Sequence, residues 1–250
     1  ARVRERTQLD CSVGIGENKL QAKLATRFGE PARFLLHKTA RLVLPLRSSV
    51  LNELDLPNAS MPPSTIRNVG VIVGSLRKES FTRKIANAIA KLAPASLKLE
   101  IIEIGQLSSY DPDLENTPPA DWVAFRQKVT AVDAVLFATP EYNRSVPGVL
   151  KNAIDVASRP HGKSAWNGKP GAVVSVSPGA IGGFGANHHL RQMLVFLNIP
   201  AMQQPEAYIG GADKLFDASG DVTSESTREF LKKFIEAFAA WIELHLAARK

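Results

Sequence analysis

One cysteine, Cys11, stands in the whole 250-residue chain. A single thiol cannot close an intrachain disulfide, form a Cys-x-x-Cys redox pair or supply a cysteine-based zinc site. No apolar run is long enough to span a bilayer as a helix, and no basic, apolar, small-residue leader is legible. Aromatic content is an ordinary 7%, and no dense Lys/Arg block interleaves with the aromatics, which argues against nucleic-acid binding. The familiar phosphate signatures are missing too. After the first apolar strand there is neither a G-x-x-x-x-G-K-[ST] loop nor a three-glycine G-x-G-x-x-G. The expectation is a cytoplasmic protein, independent of membrane and nucleic acid.

The formal net charge is +7. Residues 1–60 hold ten Lys/Arg against six Asp/Glu, or +4, and the remainder holds 21 against 18, or +3. A mildly basic surface suits anionic small molecules. The composition shift and Met61-Pro62-Pro63-Ser64-Thr65 suggest a division into residues 1–65, an N-terminal extension poorly structured or non-native, and residues 66–250, the folded domain. Within the extension, Glu17–Phe28 reads as a short helix and Ala40–Leu46 as a brief apolar run. A transit peptide is disfavoured by Glu5, Asp10, Glu17 and Glu30.

From Val69 the pattern alternates. Val69–Val73, Ala134–Ala138 and Ala172–Val176 are short, wholly apolar runs, as strands buried on both faces require. Leu97–Ile104 half-alternates and reads as an edge strand, and Ala201–Gln203 reads as a short fifth strand. Helices are expected over about Ser80–Leu92, Ala120–Val132, Pro147–Ala157, Asn187–Leu197 and Glu225–Ala247. Strands interleaved with helices spell an α/β fold: a five-stranded, doubly wound parallel sheet covered on both faces.

In such sheets ligands lie beyond the carboxyl ends of the strands. Three loops should meet there. The first, Gly74-Ser75-Leu76-Arg77-Lys78-Glu79-Ser80-Phe81-Thr82, offers amides at a helix start, hydroxyls and one guanidinium, which is the chemistry of a phosphate seat. The second, Thr139–Val146, is pinned by Pro140 and Pro147, with Ser145 expected to cap the next helix. Its rigid backbone could present donors and acceptors to a planar heterocycle, with Tyr142 stacking and Asn143 along the rim. The third, Ser177–Gly185, is glycine-rich and lets backbone approach something flat. His188 and His189 are adjacent, so they point to different sides of a helix, and a surface role is favoured over a shared metal. No metal site is expected.

These loops, together with Pro140-Glu141-Tyr142-Asn143-Arg144-Ser145-Val146-Pro147-Gly148-Val149-Leu150-Lys151-Asn152-Ala153-Ile154-Asp155, resemble the NADPH-dependent FMN reductases. The nearest subgroup is that of the bacterial quinone and chromate reductases. The likeness spans about residues 67–248. It implies a flavodoxin-like fold, non-covalent FMN, NADPH or NADH as co-substrate, and homodimers that can pair into homotetramers. It also implies ping-pong electron transfer from NAD(P)H to small-molecule acceptors: quinones, chromate, ferric or azo compounds. By the same likeness Ser75, Arg77, Ser80, Phe81 and Thr82 would hold the FMN phosphate. Pro140, Glu141, Tyr142 and Asn143 would border the ring system, with Ser177 and Gly182 nearby. Arg144 would meet an anionic acceptor or cofactor phosphate, or instead pair with a neighbouring acid. No general acid is required, since the flavin carries the electrons. Glu79 departs from the small residue usual at its position. A flavodoxin-type electron carrier without reductase activity, and a non-catalytic nucleotide-binding interaction protein, are the alternatives.

Overall fold

The computed structural model describes residues 65–247, within the unit Met61–Lys250. The expectations for Glu17–Phe28, Ala40–Leu46 and the extension as a whole lie outside the described residues.

Five strands form one parallel sheet in the order β2-β1-β3-β4-β5, where β1 is Arg67–Val73, β2 Leu97–Ile101, β3 Ala134–Thr139, β4 Gly171–Val176 and β5 Ala207–Ile209. This is the flavodoxin-like order, with strand order reversing between β1 and β3. The period-2 geometry of the strands divides their side chains between two cores. Val69, Val71 and Val73 with Leu136, Ala138, Val174 and Val176 face α1 (Phe81–Leu92) and α5 (Glu225–Ala247). Ile72, Val135, Phe137 and Val173 face α2 (Ala120–Ala131), α3 (Gly148–Ser158) and α4 (Phe184–Phe196). Trp166 fills the second core, fully buried, with its indole N–H given to Ile154 O at 2.9 Å and its ring against Phe125 and Phe137.

Four expectations are corrected. The fifth strand is not Ala201–Gln203: Ala201 makes a single parallel bridge to Gly171, and the strand proper, Ala207–Ile209, pairs with Val174–Val176. Pro205 lies between the two and has no N–H to give a ladder, so the run from Ala201 cannot continue into one. Second, β2 stops at Ile101; Ile102 and Ile104 are buried but off the ladder. Third, Ser145 does not cap α3. Pro147 occupies the N-cap position without a side-chain bond, and Ser145 Oγ lies 3.0 Å from His189 Nδ1 on α4. Helix α4 also begins earlier than expected, at Phe184, behind Gly183 in the left-handed region. Among the described residues no helix is long and apolar enough to cross a membrane.

Candidate active site

In sheets of this order ligands bind beyond the carboxyl ends of the strands where the order reverses, and the loop leaving β1 begins at that point, between β1 and β3. Gly74 donates its amide to Ala138 O at 2.8 Å, tying the loop to β3. A Cβ at Gly74 would lie 3.1 Å from Leu150 Cδ2 and 3.4 Å from Pro140 Cδ, so glycine lets the first loop lie against the second and against α3. Ser80 is the N-cap of α1: its backbone is extended (φ −73°, ψ 116°) and its Oγ accepts from Arg83 N at 3.1 Å. Within the loop and the start of α1, Ser75, Ser80 and Thr82 are buried hydroxyl residues. Among the described residues no acceptor closes on the amides of residues 75–79, and no side-chain hydrogen bond is made by the hydroxyls of Ser75 or Thr82.

The charges around this cradle are sorted. Arg83 is committed to Glu103 through two 2.8 Å bonds, which raise the guanidinium pKa and hold the Glu103 carboxyl below its usual range. Glu79, the acid that stood out in the sequence, turns outward and pairs with Lys84 at 3.1 Å, with its side chain 66% exposed. Arg77 is exposed and pairs with no carboxylate among the described residues; its guanidinium lies over the Phe81 ring at 5.3 Å. Open amides at a helix start, buried hydroxyls, a free guanidinium and a carboxylate held aside fit a phosphate monoester.

The second loop is a tight hairpin. Tyr142 and Ser145 exchange both backbone hydrogen bonds, at 2.9 and 3.0 Å, and the two residues between them, Asn143 (φ 52°) and Arg144 (φ 65°), are left-handed. That is the geometry of a type I′ turn, which normally favours Asn-Gly. Arginine in such a backbone stores about 1–2 kcal/mol of strain. Tyr142 is 49% exposed at the hairpin. Arg144 reaches Glu141 only loosely, Nη1 to Oε1 3.7 Å, with its own side chain 78% exposed.

Glu141 does something the sequence did not announce. Its Oε2 accepts from Ala186 N at 3.0 Å, so the carboxylate caps the first turn of α4 and fastens the hairpin to the third loop. Gly185 permits this approach: a Cβ there would be 2.8 Å from Arg144 O and 3.0 Å from Glu141 Oε2. Replacing Glu141 with alanine should therefore cost about 1–2 kcal/mol in a urea melt, as losing a helix cap does. Glutamine, which keeps an acceptor, should recover most of it.

Most glycines of the third loop are spent on protein rather than on a flat ligand. A Cβ on Gly182 (φ 60°) would meet Tyr208 C at 2.6 Å, and one on Gly183 would meet Ser175 Cβ at 3.1 Å. Only at Gly179 would a Cβ meet nothing closer than Ser177 Oγ at 3.4 Å. Ser177 anchors this loop with its backbone, giving N–H to Ile209 O at 2.9 Å, while its Oγ accepts from Gly179 N at 3.0 Å. His188 and His189 go separate ways, His188 to the Tyr208 hydroxyl at 3.1 Å and His189 to Ser145. Burial, reinforced by Glu206, raises the Tyr208 pKa. Among the described residues no cluster of three metal-ligating side chains occurs.

A doubly wound sheet with an anion cradle at its reversal point and two rigid loops beside it defines a mononucleotide-binding α/β protein. The sequence profile of the NADPH-dependent FMN reductases matches residues 67–214, and the chain belongs to that family. It is 62% identical to a quinone reductase of Pseudomonas putida over 185 residues, covering 74% of this chain and 99% of that protein. It is 47% identical to a 2-hydroxy-1,4-benzoquinone reductase of Burkholderia sp over 174 residues, 70% of this chain and 95% of the relative. Among solved structures, the flavoenzyme NAD(P)H:(acceptor) oxidoreductase FerB from Paracoccus denitrificans superposes with a TM-score of 0.69 at 43% identity, covering 72% of this chain and 99% of that one. The chain is an oxidoreductase of the NAD(P)H–FMN class.

Proposed function

We propose that this chain is a quinone reductase whose FMN phosphate is seated by residues 75–82. Ser75, Ser80 and Thr82 would offer hydroxyls, the loop its amides, and Arg77 a charge-assisted contact, with Phe81 beneath the guanidinium. The observation that carries the reading is this set of unengaged donors at the β1/β3 reversal, with Glu79 drawn off it by Lys84. When bound, FMN supplies the acceptance of hydride from NAD(P)H and its onward transfer.

The chain's own contribution is position and polarity. The hairpin Tyr142–Ser145, left-handed at Asn143 and Arg144 and closed by two backbone hydrogen bonds, would hold the rim of Pro140, Glu141, Tyr142 and Asn143 toward the ring edge. Glu141 acts from below, through α4, and the half-exposed Tyr142 is free to close over the ring. Ser177 and Gly182 shape the third wall. Arg144, barely restrained by Glu141, would greet an anionic acceptor or the extra phosphate of NADPH. Donor and acceptor would take turns at one face, giving ping-pong kinetics, with quinones, chromate, ferric and azo compounds as acceptors. Two copies would associate as a homodimer, or pair further into a homotetramer. The bare end of α4, where Val195 is 79% and Phe196 90% exposed, supports that association. A cytoplasmic setting, where NAD(P)H is plentiful, fits these co-substrates.

The test is an anaerobic titration of the FMN-reconstituted chain with each pyridine nucleotide. Loss of the flavin's visible absorbance on adding NADPH or NADH, and its return on adding a quinone, is the expected result. A protein that takes up no FMN, or whose bound flavin neither nucleotide bleaches, would end this reading.

A further inference from the structure

Beyond the cradle itself, the connection from β5 to α5 lies against the cradle helix α1. Residues Leu215–Thr223 form a closed loop: Thr223 N donates to Leu215 O at 2.9 Å, and Phe216 bridges Val222. The Asp217 carboxylate accepts from the Ser219 hydroxyl at 2.7 Å and from the amides of Ser219 and Asp221, each at 2.9 Å, which fixes the loop's shape and holds the Asp217 pKa low, the Ser219 hydroxyl most of all. Two contacts clamp it to α1. Asp221 pairs with Lys91, and Lys84 Nζ lies over the Phe216 ring.

This clamp delivers one aromatic ring to the cradle. Phe216 stacks on Phe81 with centroids 6.1 Å apart and planes 2° from parallel. Arg77 covers Phe81 at 5.3 Å, and Lys84 Nζ lies over Phe216 at 5.7 Å. The result is a run of four groups, cation, ring, ring, cation. Both Phe81 and Phe216 are partly buried against the core beneath. The same Lys84 that caps the Phe216 ring also holds Glu79.

We propose, on the basis of the phosphate seat described above, that Phe216 is a positioning residue for the phosphate end of the cofactor. It never touches the phosphate. It backs the Phe81 ring so that Arg77 rests on a fixed face rather than sampling the rotamers open to an exposed arginine. It also gives Lys84 a second partner, which keeps the Lys84–Glu79 pair in place and the carboxylate off the cradle. The role is specific to the charged end. Riboflavin, which has the same ring system without the phosphate, should not sense it.

The experiment measures dissociation constants of FMN and of riboflavin for the full apo chain by flavin fluorescence. Phe216→Leu keeps apolar bulk and removes the ring. It should lower the preference for FMN over riboflavin about 2–5-fold, the size expected from losing an exposed cation–π brace. Riboflavin affinity should stay within twofold, and Phe216→Tyr should restore the preference. If Phe216→Leu does not fold, Lys84→Met serves instead: it should lower the same preference, and adding Glu79→Gln should return part of it. Equal weakening of both flavins, or an unchanged preference, overturns the positioning role while leaving the phosphate seat intact. A wild-type chain that binds riboflavin as tightly as FMN overturns the seat and, with it, this inference.

Discussion

Gly182→Ala should lower the unfolding free energy by about 2–5 kcal/mol, the sum of a backbone and a packing term. The backbone term comes from φ of 60°, a left-handed conformation that costs an L-residue about 1–2 kcal/mol. The packing term comes from what the new methyl meets: Tyr208 C at 2.6 Å, Ile209 N at 2.8 Å and Tyr208 O at 2.9 Å. All three are backbone atoms of β5, which is held in register by β4, so they cannot swing aside as a flexible side chain would. Forcing such contacts costs about 1–3 kcal/mol more. For a chain of this size the melting temperature should fall by roughly 5–15 °C. Gly179→Ala is the matched control in the same loop, because its methyl would meet only Ser177 Oγ at 3.4 Å. Urea melts of the two variants decide the matter: equal, small losses would mean that Gly182 tolerates a side chain and that the third loop is not pressed onto β5.

That loop also shows where sequence reasoning stopped. The strands β1, β3 and β4 were legible because each is a run of apolar residues buried on both faces, a signal that needs no partner to be read. Helix α1 was legible from Ser80 and the spacing of Ile85, Ala86 and Ile89, all of which are buried. The fifth strand was not, because Ala207-Tyr208-Ile209 is three residues long and carries no period of its own. Its identity comes from pairing with β4. The glycines of the third loop were rightly read as points of close approach, but the approaching partner is β5 and the hairpin, which lie far away in sequence. Glu141 and Phe216 were missed in their present roles for the same reason. One caps a helix 45 residues away and the other stacks across 135 residues, and neither relation leaves a mark in local composition. Ser145 misled because a serine before a proline-started helix is a common cap, whereas here Pro147 itself takes the N-cap position.

The second large effect concerns Arg77. Arg77→Ala should weaken FMN binding about 10–150-fold, since a charge-assisted contact to phosphate is worth roughly 1.5–3 kcal/mol. The loss should fall on FMN and leave riboflavin nearly untouched, because in the proposed seating the guanidinium, resting over the Phe81 ring, would meet the phosphate and not the ring system. No other arginine can substitute from α1: Arg83 is held by both Glu103 oxygens. Lys78 is exposed beside Arg77 and should soften the loss in low salt, so the full effect should emerge as ionic strength rises and screens exposed charge. Arg77→Lys keeps the charge but lacks the planar fork, and should recover only part of the affinity. Stability should barely change, for Arg77 is exposed and pairs with no carboxylate among the described residues. A variant that loses FMN and riboflavin equally would place Arg77 in the general architecture of the loop. One that loses neither would move the phosphate away from the first loop, and the cradle's open amides and buried hydroxyls would then need another anion to explain them.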